Sequence, residues 1–127
     1  MNISLLLLLA LIQVESGGRT NAVGDHGLAV GILQIHPIMV EDVNRITGKH
    51  FTLADRTDPI RSLEIATFYL NHYMRPGNGQ TDTQLALLWN CGPSGGKLID
   101  SPYARKVLDA EKKISHNFDL VPNIYIF

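Results

Sequence analysis

A lone glutamate, Glu15, follows an unbroken apolar run from Leu5 to Ile12 and precedes Ser16-Gly17-Gly18. The run predicts a helix over about Ile3 to Glu15, with Asn2 or Ser4 as its N-cap and the glycines as its stop. A carboxyl group in that setting is costly unless it faces a solvent-filled recess or keeps its proton. Apolar neighbours disfavour the carboxylate. The negative end of the helix dipole does the same. A carboxylic acid that stays protonated near neutral pH is what protonation of a glycosidic oxygen requires. The plainer alternative is an ordinary exposed glutamate at a helix end, and the local sequence does not separate the two.

Other groups carry weaker signals. Asp25 is a second carboxylate in the loop that follows, and such loops commonly use aspartate as a cap. Gly92-Pro93-Ser94-Gly95-Gly96 has the letters of a nucleophile elbow, which needs a strand before it and a helix after it. Here a helix precedes it, so that reading is set aside. Cys91 is expected to be a small buried side chain rather than a nucleophile. The five histidines show no pair at metal-ligand spacing, so neither metal nor cofactor is expected. His36 and His72 are read as cleft or surface residues. Tyr69 and Tyr73 share a helical face and are read as core.

Four segments in order carry a family resemblance. Ala10-Leu11-Ile12-Gln13-Val14-Glu15-Ser16-Gly17 resembles the glutamate segment of soluble lytic transglycosylase domains, which belong to the lysozyme-like superfamily. Gly24-Asp25-His26-Gly27-Leu28 through Gly31-Ile32-Leu33-Gln34 is similar to the second motif, with its Gly-Leu-Met-Gln core, and Pro37 follows it. Ala86-Leu87-Leu88-Trp89-Asn90-Cys91-Gly92-Pro93 resembles the Ala-Tyr-Asn-Ala-Gly-Pro motif. Tyr103-Ala104-Arg105-Lys106-Val107 resembles the closing Tyr-Val-x-Lys-Val segment. Asp58-Pro59 and Phe68-Tyr69-Leu70 look like the connecting helix. The likeness covers residues from about 8 to 110, and four motifs in register are far more specific than one.

The resemblance implies roles. Glu15 would be the acid and then the base, with Ser16 supporting it and the bound sugar. Gln34 would line the cleft, Asn90 would hydrogen-bond substrate, and Tyr103 would orient or tune Glu15. Trp89 stands where the family has Tyr; an indole can stack on a sugar but only donates. Leu33 replaces the family methionine, a nearly neutral exchange. The implied substrate is the glycan strand of bacterial peptidoglycan. One acid would give a 1,6-anhydro product without consuming water. A goose-type muramidase would instead pair Glu15 with Asp25 and hydrolyse. A helical module that only binds glycan or a partner is the reading from another class.

The elements that must position these groups are helices. After Glu15 comes a loop through Thr20-Asn21 and Gly24-Asp25-His26-Gly27, then a short apolar segment from Leu28 to Ile35. Pro37 starts a helix that reaches Ile46. Asp58 caps the next, with Pro59 at its first position and Ile60, Leu63, Ala66, Tyr69, Leu70 and Tyr73 at helical spacing. Pro76-Gly77-Asn78-Gly79 breaks the chain. Thr81 or Asp82 caps a fourth helix carrying Leu85 to Trp89, and a fifth spans about Ser101 to Lys113. The expected architecture is mainly α: a lysozyme-like helical domain with a substrate cleft and a minor β element near Gly24 to Leu33.

A chain of 127 residues fits a single domain over residues 1–127. One cysteine excludes an internal disulfide. A net charge of −1 makes no electrostatic case for nucleic acid or an anionic membrane. Glu15 ends the N-terminal apolar run far short of the roughly 20 residues a membrane helix needs. The run also lacks preceding basic residues and a small-residue cleavage pattern, so it is read as a core helix rather than a signal peptide. Peptidoglycan is the expected partner, reached in the periplasm, outside the cell or by a phage lysin. Oligomeric state is not legible.

Overall fold

The computed structural model describes residues 3–74, 81–93 and 101–119. Among them the order is α1 (Leu5–Glu15), β1 (Val23–Gly24), β2 (Ala29–Val30), α2 (Pro37–Thr47), α3 (Pro59–Tyr73), α4 (Asp82–Cys91) and α5 (Pro102–Asp119). Short 3-10 helices lie at Asp25–Gly27 and Leu53–Thr57. The architecture is mainly α, and the minor β element is an antiparallel pair with Val23 opposite Val30 and Gly24 opposite Ala29. The described residues fall into two compact units, one drawn from 1–14 and 73–127 and the other running from Glu15 to His72.

In the first unit each helix start is capped. The Leu7 N–H donates to Ser4 Oγ at 3.1 Å, which makes Ser4 the cap of α1 and starts the helix at Leu5. None of the apolar residues from Leu5 to Ile12 is exposed, and Leu7, Leu8, Ala10 and Leu11 are buried. Thr81 and Gln84 form a capping box on α4: the Gln84 N–H donates to Thr81 Oγ1, and the Thr81 N–H donates to Gln84 Oε1. Leu85 to Trp89 are all buried. The helix continues past Trp89 through Asn90 to Cys91, and Gly92 ends it at φ 80°. Cys91 is therefore exposed at the helix end rather than buried. Ser101 Oγ accepts from the Ala104 N–H, capping α5, which packs on α4 and buries Ala104, Val107 and Ala110. With no Gly or Pro between Pro102 and Asp119, α5 runs to Asp119, six residues past the expected Lys113.

In the second unit α2 starts at Pro37 and ends against Gly48, with Val40 and Val43 buried. The Asn44 amide then fastens the following chain, donating to the Phe51 carbonyl at 2.9 Å and accepting from the Phe51 N–H at 2.8 Å. Asp58 Oδ1 accepts from the Ile60 and Arg61 N–H groups and so caps α3. The buried stripe of α3 is Ser62, Ile65, Ala66, Tyr69 and Leu70. Ile60, expected on that stripe, is 65% exposed. The true stripe begins with a serine, so a search for apolar residues alone picks the wrong first member. Burial of Ser62 is tolerable because its hydroxyl donates to the Arg56 carbonyl at 2.8 Å.

No helix among the described residues is long and apolar enough to cross a membrane. The expected break at Pro76-Gly77-Asn78-Gly79, the Ser94-Gly95-Gly96 end of the Gly92-Pro93-Ser94-Gly95-Gly96 segment and residues 120–127 lie outside the described residues.

Candidate active site

Glu15 is the last residue of α1 and is half-buried. The next residue ties this helix end to the second motif. Ser16 is buried, and its hydroxyl donates to the Ile32 carbonyl at 2.8 Å across sixteen positions of chain. The same oxygen accepts the Gly18 N–H at 3.0 Å, and Arg19 Nε donates to the Ser16 carbonyl at 2.9 Å. The glutamate terminus and the second motif, distant in sequence, are thus joined by a buried hydrogen bond. A polar side chain buried that deeply must be satisfied in this way.

The second motif is a tight loop. The Gly31 N–H donates to the Ala22 carbonyl at 2.8 Å, and the Gln34 N–H donates to the Gly31 carbonyl at 3.1 Å. Val30 and Ile35 exchange both backbone hydrogen bonds across this turn. Gln34 has φ 53°, and its Nε2 donates to the carbonyls of Ala22 and Gly31 at 3.1 and 3.0 Å. That fixes the amide and lays its Oε1 along Gly24, where a Cβ would come within 2.5 Å of it. Gly31 is required twice over: φ is +88°, and a Cβ there would stand 1.8 Å from the Arg56 carbonyl oxygen.

Asp25 and His26 also adopt left-handed conformations, at φ 47° and 58°. Left-handed backbone costs a non-glycine residue on the order of 1 kcal/mol, so three of them within ten residues mark a loop held by its surroundings. Asp25 Oδ2 lies 2.8 Å from His36 Nε2, spanning the loop. Arg56 supplies a further brace and had no signal in the motif reading. It is only 9% exposed. Its Nη1 donates to the carbonyls of Leu28 and Ile35, both at 3.0 Å, and its Nε donates to that of Leu53, also at 3.0 Å. The only sequence cue is indirect: Thr52 and Asp55 form the capping box that winds the 3-10 helix carrying Arg56.

The other sequence-predicted residues lie in the first unit. Asn90 and Trp89 are near the end of α4; Trp89 is 6% exposed, whereas Asn90 is exposed. Asn90 Nδ2 approaches Cys91 Sγ at 3.6 Å. Tyr103, in the first turn of α5, is half-buried. A recess of about 350 Å³ in the second unit, lined by Lys49, His50, Phe51, Asp55 and Arg61, holds none of the predicted residues. No three His, Cys, Asp or Glu side chains gather as a metal site among the described residues.

Nothing among curated proteins or solved structures matches the chain. Residues 1–106 match the family described as the transglycosylase SLT domain, and that span takes in Glu15, the braced second motif, Asn90 and Tyr103. The chain belongs to the transglycosylase SLT domain family, the family of peptidoglycan lytic transglycosylases.

Proposed function

We propose that the protein cleaves the β-1,4 bond between N-acetylmuramic acid and N-acetylglucosamine in peptidoglycan, with Glu15 as the single acid and base. The observation that carries the reading is the buried Ser16 to Ile32 hydrogen bond, which joins the glutamate motif to the second motif of the family. Glu15 donates its proton to the glycosidic oxygen, and the bond from that oxygen to C1 of the muramic acid breaks. The sugar's own acetamido oxygen stabilises the cation at C1, the substrate-assisted exception to two-carboxylate catalysis. Glu15, now a carboxylate, takes the proton of the C6 hydroxyl as O6 closes on C1. A 1,6-anhydro ring forms, and no water is consumed.

Asp25 bears on the choice between this course and hydrolysis. A muramidase needs a second carboxylate free to activate water. The Asp25 carboxylate is engaged by His36 at 2.8 Å, which supports the one-acid course. Asn90 and Tyr103 enter through their motifs, as the substrate-binding and acid-orienting residues. With its indole buried, Trp89 is assigned to supporting Asn90 rather than to stacking on sugar. The place of action is the bacterial cell wall, reached from the periplasm, from outside or by a phage.

Mass spectrometry of fragments released from purified peptidoglycan tests the proposal, with Glu15→Gln run beside the parent. Products one water lighter than hydrolytic fragments, lost in the variant, are expected. Fragments carrying the extra water would replace the transglycosylase with a muramidase. Retention of glycan without release from folded protein would leave a binding module.

A further inference from the structure

The second-motif loop carries three left-handed non-glycine residues, Asp25, His26 and Gln34. Such a loop keeps its shape only if its surroundings over-determine it. Its own ties are the paired Val30 and Ile35 backbone groups and the Gln34 bonds to the Ala22 and Gly31 carbonyls. The Gln34 amide and the Gly31 N–H both use the Ala22 carbonyl, and Asp25 meets His36 at an exposed position. Among the described residues, the one buried charged group that reaches into the loop comes from elsewhere in the chain. Arg56 lies 28 positions from Leu28 and 21 from Ile35, yet a single Nη1 bonds both carbonyls. Those carbonyls lie on opposite arms of the turn that contains Gln34. Its Nε bonds Leu53, so the guanidinium is anchored in its own 3-10 helix while it spans the loop. The Arg56 main chain closes the arrangement: its carbonyl accepts Ser62 Oγ and packs where Gly31 lacks a side chain.

We infer that Arg56 is a positioning residue that staples the two arms of the turn and holds Gln34 in its left-handed conformation. The inference rests on the proposed role of Gln34 in holding the glycan strand. The guanidinium stays anchored to Leu53 through Nε while its Nη1 reaches both loop carbonyls, a division between two nitrogens that a single ammonium lacks. A lysine keeps the charge but concentrates its donors at one point.

The test compares Arg56→Lys, Gln34→Ala and the double variant with the parent, by amide hydrogen exchange and by steady-state cleavage of soluble glycan strands. For Arg56→Lys, exchange at Gly31, Gln34 and Ile35 should quicken roughly ten-fold or more while α3 is unchanged. KM should rise about ten-fold, as in Gln34→Ala, with kcat within a few-fold, and the double variant should be no worse than Gln34→Ala alone. An additive double variant, an unchanged KM, or exchange that quickens evenly through the whole unit would overturn the inference. A parent that releases no fragments would remove the catalytic reading, and the exchange comparison would still decide the staple. If Arg56→Lys does not fold, Arg56→Ala refolded with guanidinium or with methylammonium takes its place. Loop protection should return with guanidinium only, and equal recovery with methylammonium would overturn the staple.

Discussion

At the scale of single residues, the second motif shows how strictly a loop selects its side chains. Gly31 has no room for a Cβ, because the Arg56 carbonyl oxygen would lie 1.8 Å away. Gly31→Ala is therefore expected to cost at least about 2 kcal/mol, since both the left-handed backbone and the Arg56 segment must yield. Chemical denaturation would measure it, and a loss below half that figure would show that the loop is softer than its hydrogen bonds suggest. Glu15→Gln keeps shape and polarity but can neither give nor take the proton, so turnover should fall by orders of magnitude with an unchanged melting temperature. Asp25→Asn retains an acceptor for His36 and should leave fragment release within a few-fold. A severe loss would bring Asp25 into the chemistry. Glu15 and Gln34 could be picked out in the sequence because family motifs name them, and Asp25 because it is a carboxylate inside the second-motif segment. Arg56 could not, because its partners Leu28 and Ile35 are backbone carbonyls that carry no residue signature.

At the scale of elements, α4 and α5 are fastened by an unusual pair. Glu111 on α5 is 8% exposed, one of its carboxyl oxygens has no hydrogen-bond partner, and Asp82 of α4 hydrogen-bonds the side chain. Two carboxyl groups in contact can share a hydrogen bond only if one keeps a proton. Burial first, then the Asp82 hydrogen bond and the Asp82 charge, push the Glu111 carboxyl from its ordinary 4.5 up to about 8. Asp82 is the one charged side chain on α4, so nothing on that helix offsets the effect. The folded protein thus holds a proton that the unfolded chain releases near 4.5. Stability conferred by the neutral acid is complete below about 4.5, declines as pH rises, and is gone above about 8. Glu111→Gln donates to Asp82 without a titration. Its melting temperature should be nearly flat over that window and should exceed the parent's at the alkaline end. Parallel pH profiles for the two proteins would show that the pair does not hold a proton.

At the scale of the whole molecule, the family match and the folded unit end at different places. The match stops at residue 106, inside α5, yet Val107, Ala110 and Glu111 beyond it are buried. Truncation after Lys106 removes Val107, Ala110 and Glu111 and leaves Ala104 as the one buried residue of α5 among those described. That fragment should lose cooperative thermal unfolding in circular dichroism, because deleting several buried side chains at once costs more than a small domain has to spare. A fragment that melts as the parent does would make the rest of α5 dispensable.

The amino-acid sequence by itself determined the helices and their order. Caps such as Ser4, Asp58, Thr81 and Ser101, and breakers such as Gly48 and Gly92, act on their immediate neighbours, so their effect can be read locally. It determined the family as well, because the motifs are runs of adjacent residues. Tertiary structure decided what depends on residues far apart in the chain. It made Ser62 rather than Ile60 the first member of the α3 stripe, exposed Cys91, buried Trp89, and paired Asp82 with Glu111. It also brought Arg56 to the loop that carries Gln34. The physical reason is common to these cases. Capping and turn chemistry are satisfied within one turn of backbone, whereas burial, carbonyl partners and shared protons are supplied by whichever distant segment folds against the group.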